Sequence, residues 1–404
     1  MRRPRRVALV SSSFAPYVGG VEEHTLHVAQ ELRSAGHQVA VWTVDRGESL
    51  GTRFVDGLEV RYLPCPQPAG SIGAVLRFLG TAPGAALRWL RAWRDLRPEV
   101  LHVQCFGPNG LYALALHLVA RVPLVVSSHG ETFADDHDVF SRSRLLRTGL
   151  IRSLRSASAV TGCSRLVVDD LAERFGAWGG VVVPNGVDLD GPGPGPRPGD
   201  APRPAVDQLP TVFAVGRVER AKGFDLLLDA FARLQTPARL VIGGDGSELR
   251  ALQVGVDARG LRSLVELPGR LNSDEVARQM TSAAVVVVPS RQEAFGIVVL
   301  EAWRAGTPLV ATSLGGPGDL VEDGVDGLVV DPTDPAALAN AIDSVLRDPA
   351  LGRRLSGRGS ERVHAYTWTR TRELYEAIYD RVLAPSRSPR PRPRRSIHWG
   401  RRWS

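Results

Sequence analysis

Short, wholly apolar runs, each closed by glycine, proline or serine and spaced by helix-length stretches, leave this chain few possible folds. The plainest run is Val285-Val286-Val287-Val288, followed by Pro289 and Ser290. A strand with one face in water alternates apolar and polar residues, whereas four valines in a row suit a strand covered on both faces, as in a parallel sheet. Strand patterns recur at 6–14, 38–44, 58–63 (a hairpin strand), 100–106, 124–128, 159–163 and 181–184. Helical periodicity fills the gaps at 22–34, 110–121, 144–155 and 166–175. The pattern then restarts, with strands at 211–215, 239–242, 265–267, 285–288, 309–312 and 327–330 and helices at 224–234, 335–346, 351–364 and 368–383. Strand-helix alternation of this kind predicts an α/β chain of two Rossmann-like, doubly wound parallel sheets.

Residues 191–210 carry seven prolines and four glycines, a composition that holds no packed element and reads as a linker. The expected division is therefore 1–190, a linker at 191–210, a second domain at 211–365, a last helix at 366–384 and an arginine-rich, disordered tail at 385–404. Two such domains leave a cleft, a favoured place for a small-molecule site.

The formal charge of +7 is misleading. Arg2, Arg3, Arg5 and Arg6 and the eight arginines after residue 380 carry it, and without them residues 7–380 stand at about −5. A specific nucleic-acid partner is not expected from such a body. The three cysteines, Cys65, Cys105 and Cys163, form no CxxC and lie in or beside apolar runs, which points to reduced thiols and a cytoplasmic setting. Residues 7–10 are too short for the apolar part of a signal peptide, and His117, Arg121 and Pro123 interrupt the most apolar stretch. Residues 72–97 mix Leu76, Phe78, Leu79, Trp89 and Trp93 with Arg77, Arg88, Arg91 and Arg94, and Pro83-Gly84 is expected to split them into two helical pieces. The stretch reads either as an ordinary surface helix or as one lying on an anionic membrane surface.

The chemistry is expected after the valine strand. A loop holds Glu293, and Phe295-Gly296 opens a helix that carries Glu301. A helix start offers unpaired N–H groups and partial positive charge, which suits an anion. Carboxylates on either side would repel that anion, so they suit hydroxyls. A ligand with phosphates and many hydroxyls satisfies both. Arg217 and Lys222 follow another strand end, five residues apart, and suit a pyrophosphate clamp. Lys222 is the single lysine among 50 basic residues, which argues that arginine does not replace it. Gly19-Gly20 is either a tight turn or a point of close approach to a phosphate or sugar; no G-x-G-x-x-G is present. His129, at a strand end, is either an exposed ligand contact or a loop cap. Asp135, Asp136, His137 and Asp138 read as a solvated loop, not as metal ligands.

Together GGVEEH, HGET, PNGVD, GRVERAKG, PSRQEAFGIVVLEAWRAGTPLVAT and GGPGDLVEDGVDGLVVDP resemble glycosyltransferase family 4 over residues 7–383. The resemblance implies a GT-B fold, a last helix crossing back to the first domain, and retaining transfer of a hexosyl group from a UDP- or GDP-sugar to a hydroxyl acceptor. The nucleotide sugar is then a co-substrate, with no cofactor and no metal. It implies that Arg217 and Lys222 bind pyrophosphate, that Glu293 binds sugar hydroxyls beside the backbone of Ala294, Phe295, Gly296 and Ile297, and that Glu301 binds the ribose. Gly19 and Gly20 admit the donor phosphate, His129 lies near the sugar, and Gly269 and Arg270 border the base. Asp319 stands nearest to where the family usually has a glutamate, so the role of that loop stays open. The acceptor class, lipid-linked acceptors included, suits cell-envelope glycan, glycolipid or small-molecule glycoside synthesis at the inner face of a membrane. A GT-B-like phosphorylase, a nucleotide-sugar epimerase, and a membrane-surface or nucleic-acid binder acting through the basic tail are the competing readings.

Overall fold

The computed structural model describes residues 3–17, 19–68, 71–133, 139–189 and 209–384. The expected linker, apart from its last two residues, the arginine-rich tail and the Asp135–Asp138 cluster lie outside the described residues. The first sheet contains β1 (Arg6–Ser11), β2 (Gln38–Val44), β3 (Thr52–Val55), β4 (Leu58–Leu63), β5 (Val100–Gln104), β6 (Leu124–Ser128), β7 (Ala159–Gly162) and β8 (Val181–Val182), in the order β3-β4-β2-β1-β5-β6-β7-β8. All neighbours are parallel except β3, which returns antiparallel on β4. The second sheet is parallel throughout. It contains β9 (Thr211–Val215), β10 (Arg239–Gly243), β11 (Val265–Gly269), β12 (Val285–Val288), β13 (Leu309–Thr312) and β14 (Leu328–Val330), in the order β11-β10-β9-β12-β13-β14.

The apolar runs are explained by what covers them. Val285 to Val288 are all buried, facing Leu227, Leu228 and Ile342 on one side and Val299, Leu300 and Trp303 on the other. Strand order reverses between β1 and β5 in the first sheet and between β9 and β12 in the second. Adjacent loops diverge there to opposite faces, and open α/β sheets bind ligands in the resulting crevice.

The last helix, Trp368–Leu383, crosses to the first sheet. Tyr375, Ile378 and Tyr379 are buried against Val28 and Leu32 of the helix Gly20–Ser34. At about 1.5–3 kcal/mol for each fully buried large apolar side chain, this helix belongs to the core of the first half although it ends the chain. Cys163, Val167 and Val187 in turn join the core under the second sheet.

The arginine-rich stretch differs from expectation. It is one helix, Ile72–Leu96, with Pro83 inside it. Proline removes one N–H and frees the Leu79 carbonyl. Leu79 is 60% exposed, so water can satisfy that carbonyl and the helix continues. Helices Leu249–Ala258 and Ser273–Ser282 were also not expected. The second has a local signal, since Asn272 and Glu275 cap each other reciprocally.

Candidate functional site

Two loops at the switch point of the second sheet are tied together backbone to backbone. The loop after β9 turns through Arg220–Lys222 to Gly223, whose φ is +67°. A side chain at Gly223 would collide with the Pro289 carbonyl of the loop after β12, so only glycine permits this approach. Arg291 N and Gln292 N donate to the Ala221 carbonyl at 2.8 and 3.2 Å. The Arg291 guanidinium forks onto Asp225 at 2.6 and 2.7 Å.

This zipper brings Lys222 Nζ to 2.6 Å from Glu293 Oε2. Ser290 Oγ, almost fully buried, also donates to Oε2 at 3.3 Å. The loop after β13 closes the far side, where Gly316 N donates to the Glu293 carbonyl at 2.8 Å. Added side chains at Gly315 or Gly316 would strike the backbone of Glu293 or of Ala294 and Phe295. Asp319 lies in the short helix that follows, Gly316–Leu320.

Gly296 sits at φ +91° and starts the helix Ile297–Ala305 with no side-chain cap. Its first-turn N–H groups open on the carboxyl edge of the sheet. Glu301, on the next turn, is partly buried. Burial lifts its carboxyl above the usual range, Arg304 lowers it in part, and Glu23 of the first half raises it further. No hydrogen bond holds it among the described residues. The two halves meet nearby, where Arg304 Nη1 donates to the Asp188 carbonyl at 3.0 Å.

The first half contributes Gly19, Gly20 and His129. Gly19 is extended, at φ 176°, and a side chain there would meet only the movable Glu22 carboxylate, at 2.8 Å. A side chain at Gly20 would meet nothing within 4 Å. Packing thus gives no reason for glycine at Gly20, in contrast to Gly223 and Gly316. His129 is partly buried, not exposed as expected. Its Nε2 lies 2.8 Å from Gln104 Oε1, its ring centroid 4.3 Å from that of His24, and burial lowers its pKa to about 4.

Arg217 and the Gly269-Arg270 pair are not drawn into the Lys222–Glu293 contact. Arg217 is exposed and has no ion pair among the described residues. Gly269 and Arg270 lie at the end of β11, beyond β10, about 10 Å sideways from β9 by strand spacing.

Several residues around His129 were not singled out from the sequence. The partly buried Glu131 carboxylate accepts from Phe106 N at 2.9 Å, Ser128 Oγ at 2.8 Å and His129 N at 2.7 Å, fixing the HGET turn. Burial raises its pKa in spite of these bonds. His24, fully buried, has Nδ1 2.8 Å from Asn185 Oδ1 and Nε2 3.2 Å from Tyr375 Oη. An amide oxygen only accepts, so Nδ1 carries the proton and Nε2 accepts from the tyrosine. His102 is held likewise, 2.7 Å from Tyr379 Oη and 2.6 Å from Ser127 Oγ. The signal for His24 was its place on the helix face of Val28 and Leu32, where a polar ring needs partners. Among the described residues no three His, Cys, Asp or Glu side chains gather as a metal-sized cluster. No helix among them is long and apolar enough to cross a membrane.

Known proteins share this fold. Residues 18–190 match the family described as Glycosyltransferase Family 4, and residues 200–362 match Glycosyl transferases group 1. A phosphatidyl-myo-inositol mannosyltransferase of Mycobacterium tuberculosis is 33% identical over 394 residues, covering 93% of this chain and 97% of that protein. Among solved structures, a sucrose-phosphate synthase from Thermosynechococcus elongatus superposes with a TM-score of 0.80 at 24% identity, covering 95% of this chain and all of that one. Anabaena Alr3699/HepE, solved in complex with UDP and glucose, gives 0.72 at 21% identity, covering 92% and 98%.

Proposed function

The chain belongs to glycosyltransferase family 4, and we propose that it moves a hexosyl group from a UDP- or GDP-sugar to a hydroxyl acceptor, retaining the anomeric configuration and using no metal ion. The observation that carries this reading is the Lys222–Glu293 pair, 2.6 Å apart beside an uncapped helix start at a sheet switch point. A cation and free N–H groups suit a diphosphate, and a carboxylate suits sugar hydroxyls.

In this reading residues 211–365 hold the donor and residues 1–190 the acceptor. Lys222 and Arg217 take the pyrophosphate, stabilising the charge that grows as the nucleoside diphosphate leaves. The amides of Phe295, Gly296 and Ile297 approach sugar and phosphate beside Ala294. Glu293 accepts from sugar hydroxyls, oriented by Lys222 and Ser290. Glu301, partly buried and with no hydrogen bond among the described residues, gains hydrogen bonds from the ribose. Gly269 and Arg270 border the base. Gly19 and Gly20 let the donor approach the first half, and His129, neutral at ordinary pH, lies beside the sugar. The acceptor attacks from the face the phosphate leaves, and a departing phosphate oxygen takes its proton. A thermal-shift panel of UDP, GDP and ADP with their sugars tests the donor. Stabilisation by one nucleoside diphosphate family is expected, and none by any would overturn the reading. Release of free sugar phosphate, or an epimerised donor without transfer, would instead favour a phosphorylase or epimerase.

A lipid surface is a second element of the reading. Ile72, Val75, Leu76 and Leu79 follow i, i+3, i+4, i+7 spacing and are 83, 39, 63 and 60% exposed. An apolar stripe standing in water beside arginines suits the boundary of an anionic membrane, the inner face of the cell membrane in this proposal. The mycobacterial relative is named for a lipid acceptor, which supports a lipid-linked acceptor here. Vesicle co-sedimentation that is unaffected by Leu76→Asp/Leu79→Asp would refute it.

A further inference from the structure

We infer that the hollow between the helix Ile72–Leu96 and β4 is an anion subsite that binds a phosphate group of the acceptor. The inference rests on the glycosyltransferase reading and narrows its acceptor class. The cavity measures about 310 Å³ and is lined by Arg61, Arg88, Arg91 and Asp95, with Asp45 and Tyr62 on the strand side.

The charges are unequally matched. Arg61 Nη1 bonds Asp95 at 2.7 Å and its Nε bonds Glu59, so this guanidinium is compensated and held still. Asp45 is occupied as a turn cap, accepting from Gly47 N and Ser49 N at 3.0 and 3.1 Å. Asp95 is the one acid in the helix, and Arg61 takes it. Arg88 and Arg91, one turn apart at the mouth, are exposed and have no ion pair among the described residues. Two uncompensated planar forks one turn apart suit phosphate oxygens better than a neutral sugar. Ser49 and Thr52 add hydroxyls to the same lining.

The location suits an acceptor. Tyr62 also lines a hollow of about 10 Å³ formed with Ser13, Phe14, Tyr17 and Glu48, and Tyr17 stands two residues before Gly19 in the sequence. The two hollows therefore run along one edge from the end of β1 towards β4. Two strand spacings separate β1 from β4, about 10 Å. That is roughly the reach of one sugar ring with a phosphate attached. The donor pyrophosphate, on the other sheet beside Lys222, has no need of these arginines.

Two sources supply such a phosphate, a lipid headgroup or a soluble phosphorylated acceptor. Glycerol 3-phosphate, with glycerol as its control, serves as the soluble probe in NMR titrations of the full chain. Vesicles of phosphatidylcholine with and without phosphatidylinositol serve as the lipid probe. Arg88→Ala/Arg91→Ala changes two exposed positions to a good helix former, and Arg88→Lys/Arg91→Lys keeps charge without the fork. Glycerol 3-phosphate but not glycerol is expected to bind, with a loss of about tenfold or more in the alanine pair and an intermediate loss in the lysine pair. Loss of phosphatidylinositol vesicle binding in the alanine pair, with competition by glycerol 3-phosphate, assigns the phosphate to a headgroup. Unchanged vesicle binding with lost soluble binding assigns it to a soluble acceptor. Equal affinity of wild type and the alanine pair for glycerol 3-phosphate overturns the subsite. The donor panel separates the two failures. If nucleoside diphosphates stabilise both proteins while the probe ignores the arginines, the subsite alone is wrong. If no nucleotide stabilises either protein, the enzyme reading is wrong.

Discussion

Replacing Lys222 with alanine is the sharpest test of the donor site. It removes an ammonium 2.6 Å from Glu293 Oε2 and spares the backbone zipper, which runs through Ala221, Gly223 and the loop after β12. Its side chain is 26% exposed and that of Glu293 14%, so both charges are partly screened and the loss is modest in ground-state terms. A hydrogen bond between a cation and phosphate contributes about 1.5–3 kcal/mol, or about 10- to 150-fold in affinity. A donor aimed at charge that develops in the transition state is worth about 10²–10³ in rate. Lys222→Ala should therefore weaken UDP or GDP by the first factor and slow donor turnover by the second. Binding of UMP or GMP, which lack the second phosphate, should stay unchanged. Calorimetric titration of the mono- and diphosphates, with donor turnover under saturation, reads all three. Lys222→Arg should restore part of the binding and little of the rate, because a wide planar fork does not replace a point charge held between Glu293 and phosphate. Glu293→Ala combined with Lys222→Ala should cost less than the two single changes added, since each removes the same contact. Wild-type turnover by Lys222→Ala, or equal losses for mono- and diphosphates, would refute the assignment.

Glu301→Gln should weaken nucleoside diphosphates and narrow the preference for ribose over deoxyribose, measured by paired titrations; unchanged discrimination would remove its ribose role. Gly20→Ala should leave the melting temperature nearly unaltered, because its new methyl meets nothing, yet weaken donor binding about tenfold or more if the donor lies against it. Gly316→Ala should lower the melting temperature itself, since its methyl strikes the Ala294-Phe295 backbone. Burial lowers His102 from 6.5 to about 3, so on acidification the unfolded chain protonates first. Stability present above pH 6.5 should then fall as pH drops below it, by about 1.4 kcal/mol per pH unit for this ring. Glu131 and Glu301, raised by burial, oppose that trend. The informative quantity is thus the difference from His102→Gln, whose stability should fall less steeply between pH 6.5 and 4 in urea unfolding, and identical slopes would show that the ring titrates normally.

The strands were legible because burial on both faces leaves a run without alternation. The valine run and residues 124–128, 211–215 and 309–312 match β12, β6, β9 and β13 residue for residue. β3 was missed for the converse reason. It is an edge strand whose Phe54 is 75% exposed, and four residues without a buried face carry little pattern. The Lys222–Glu293 pair spans 71 residues, yet both follow strand ends, and the chain order of the strands places those ends together. His24 had no such guide. Its partners lie 161 and 351 residues away, and nothing local to GGVEEH says that a tyrosine of the last helix will meet that ring.

That long-range contact bears on how the cleft is set. At the end of the described part of the first half, Val187 bridges Thr367, just before the last helix. Gly186 lies so close to the Trp368 backbone that no side chain fits between them. Beyond this bridge, Tyr375 and Tyr379 bond His24 and His102 inside the first half, and Glu376, pushed up by burial but lowered overall by His37 and Arg372, pairs with a buried His37. His24 lies on the helix that starts at Gly20, and its ring is tilted against that of His129, with centroids 4.3 Å apart. His24 is therefore positioned by a hydrogen bond to the last helix, and His129, itself bonded to Gln104, lies against it. Tyr375→Phe, which removes the bond to His24, should therefore lower the melting temperature and, in the proposed donor site, slow donor turnover as well; turnover unchanged beside a lowered melting temperature would show that the two are independent.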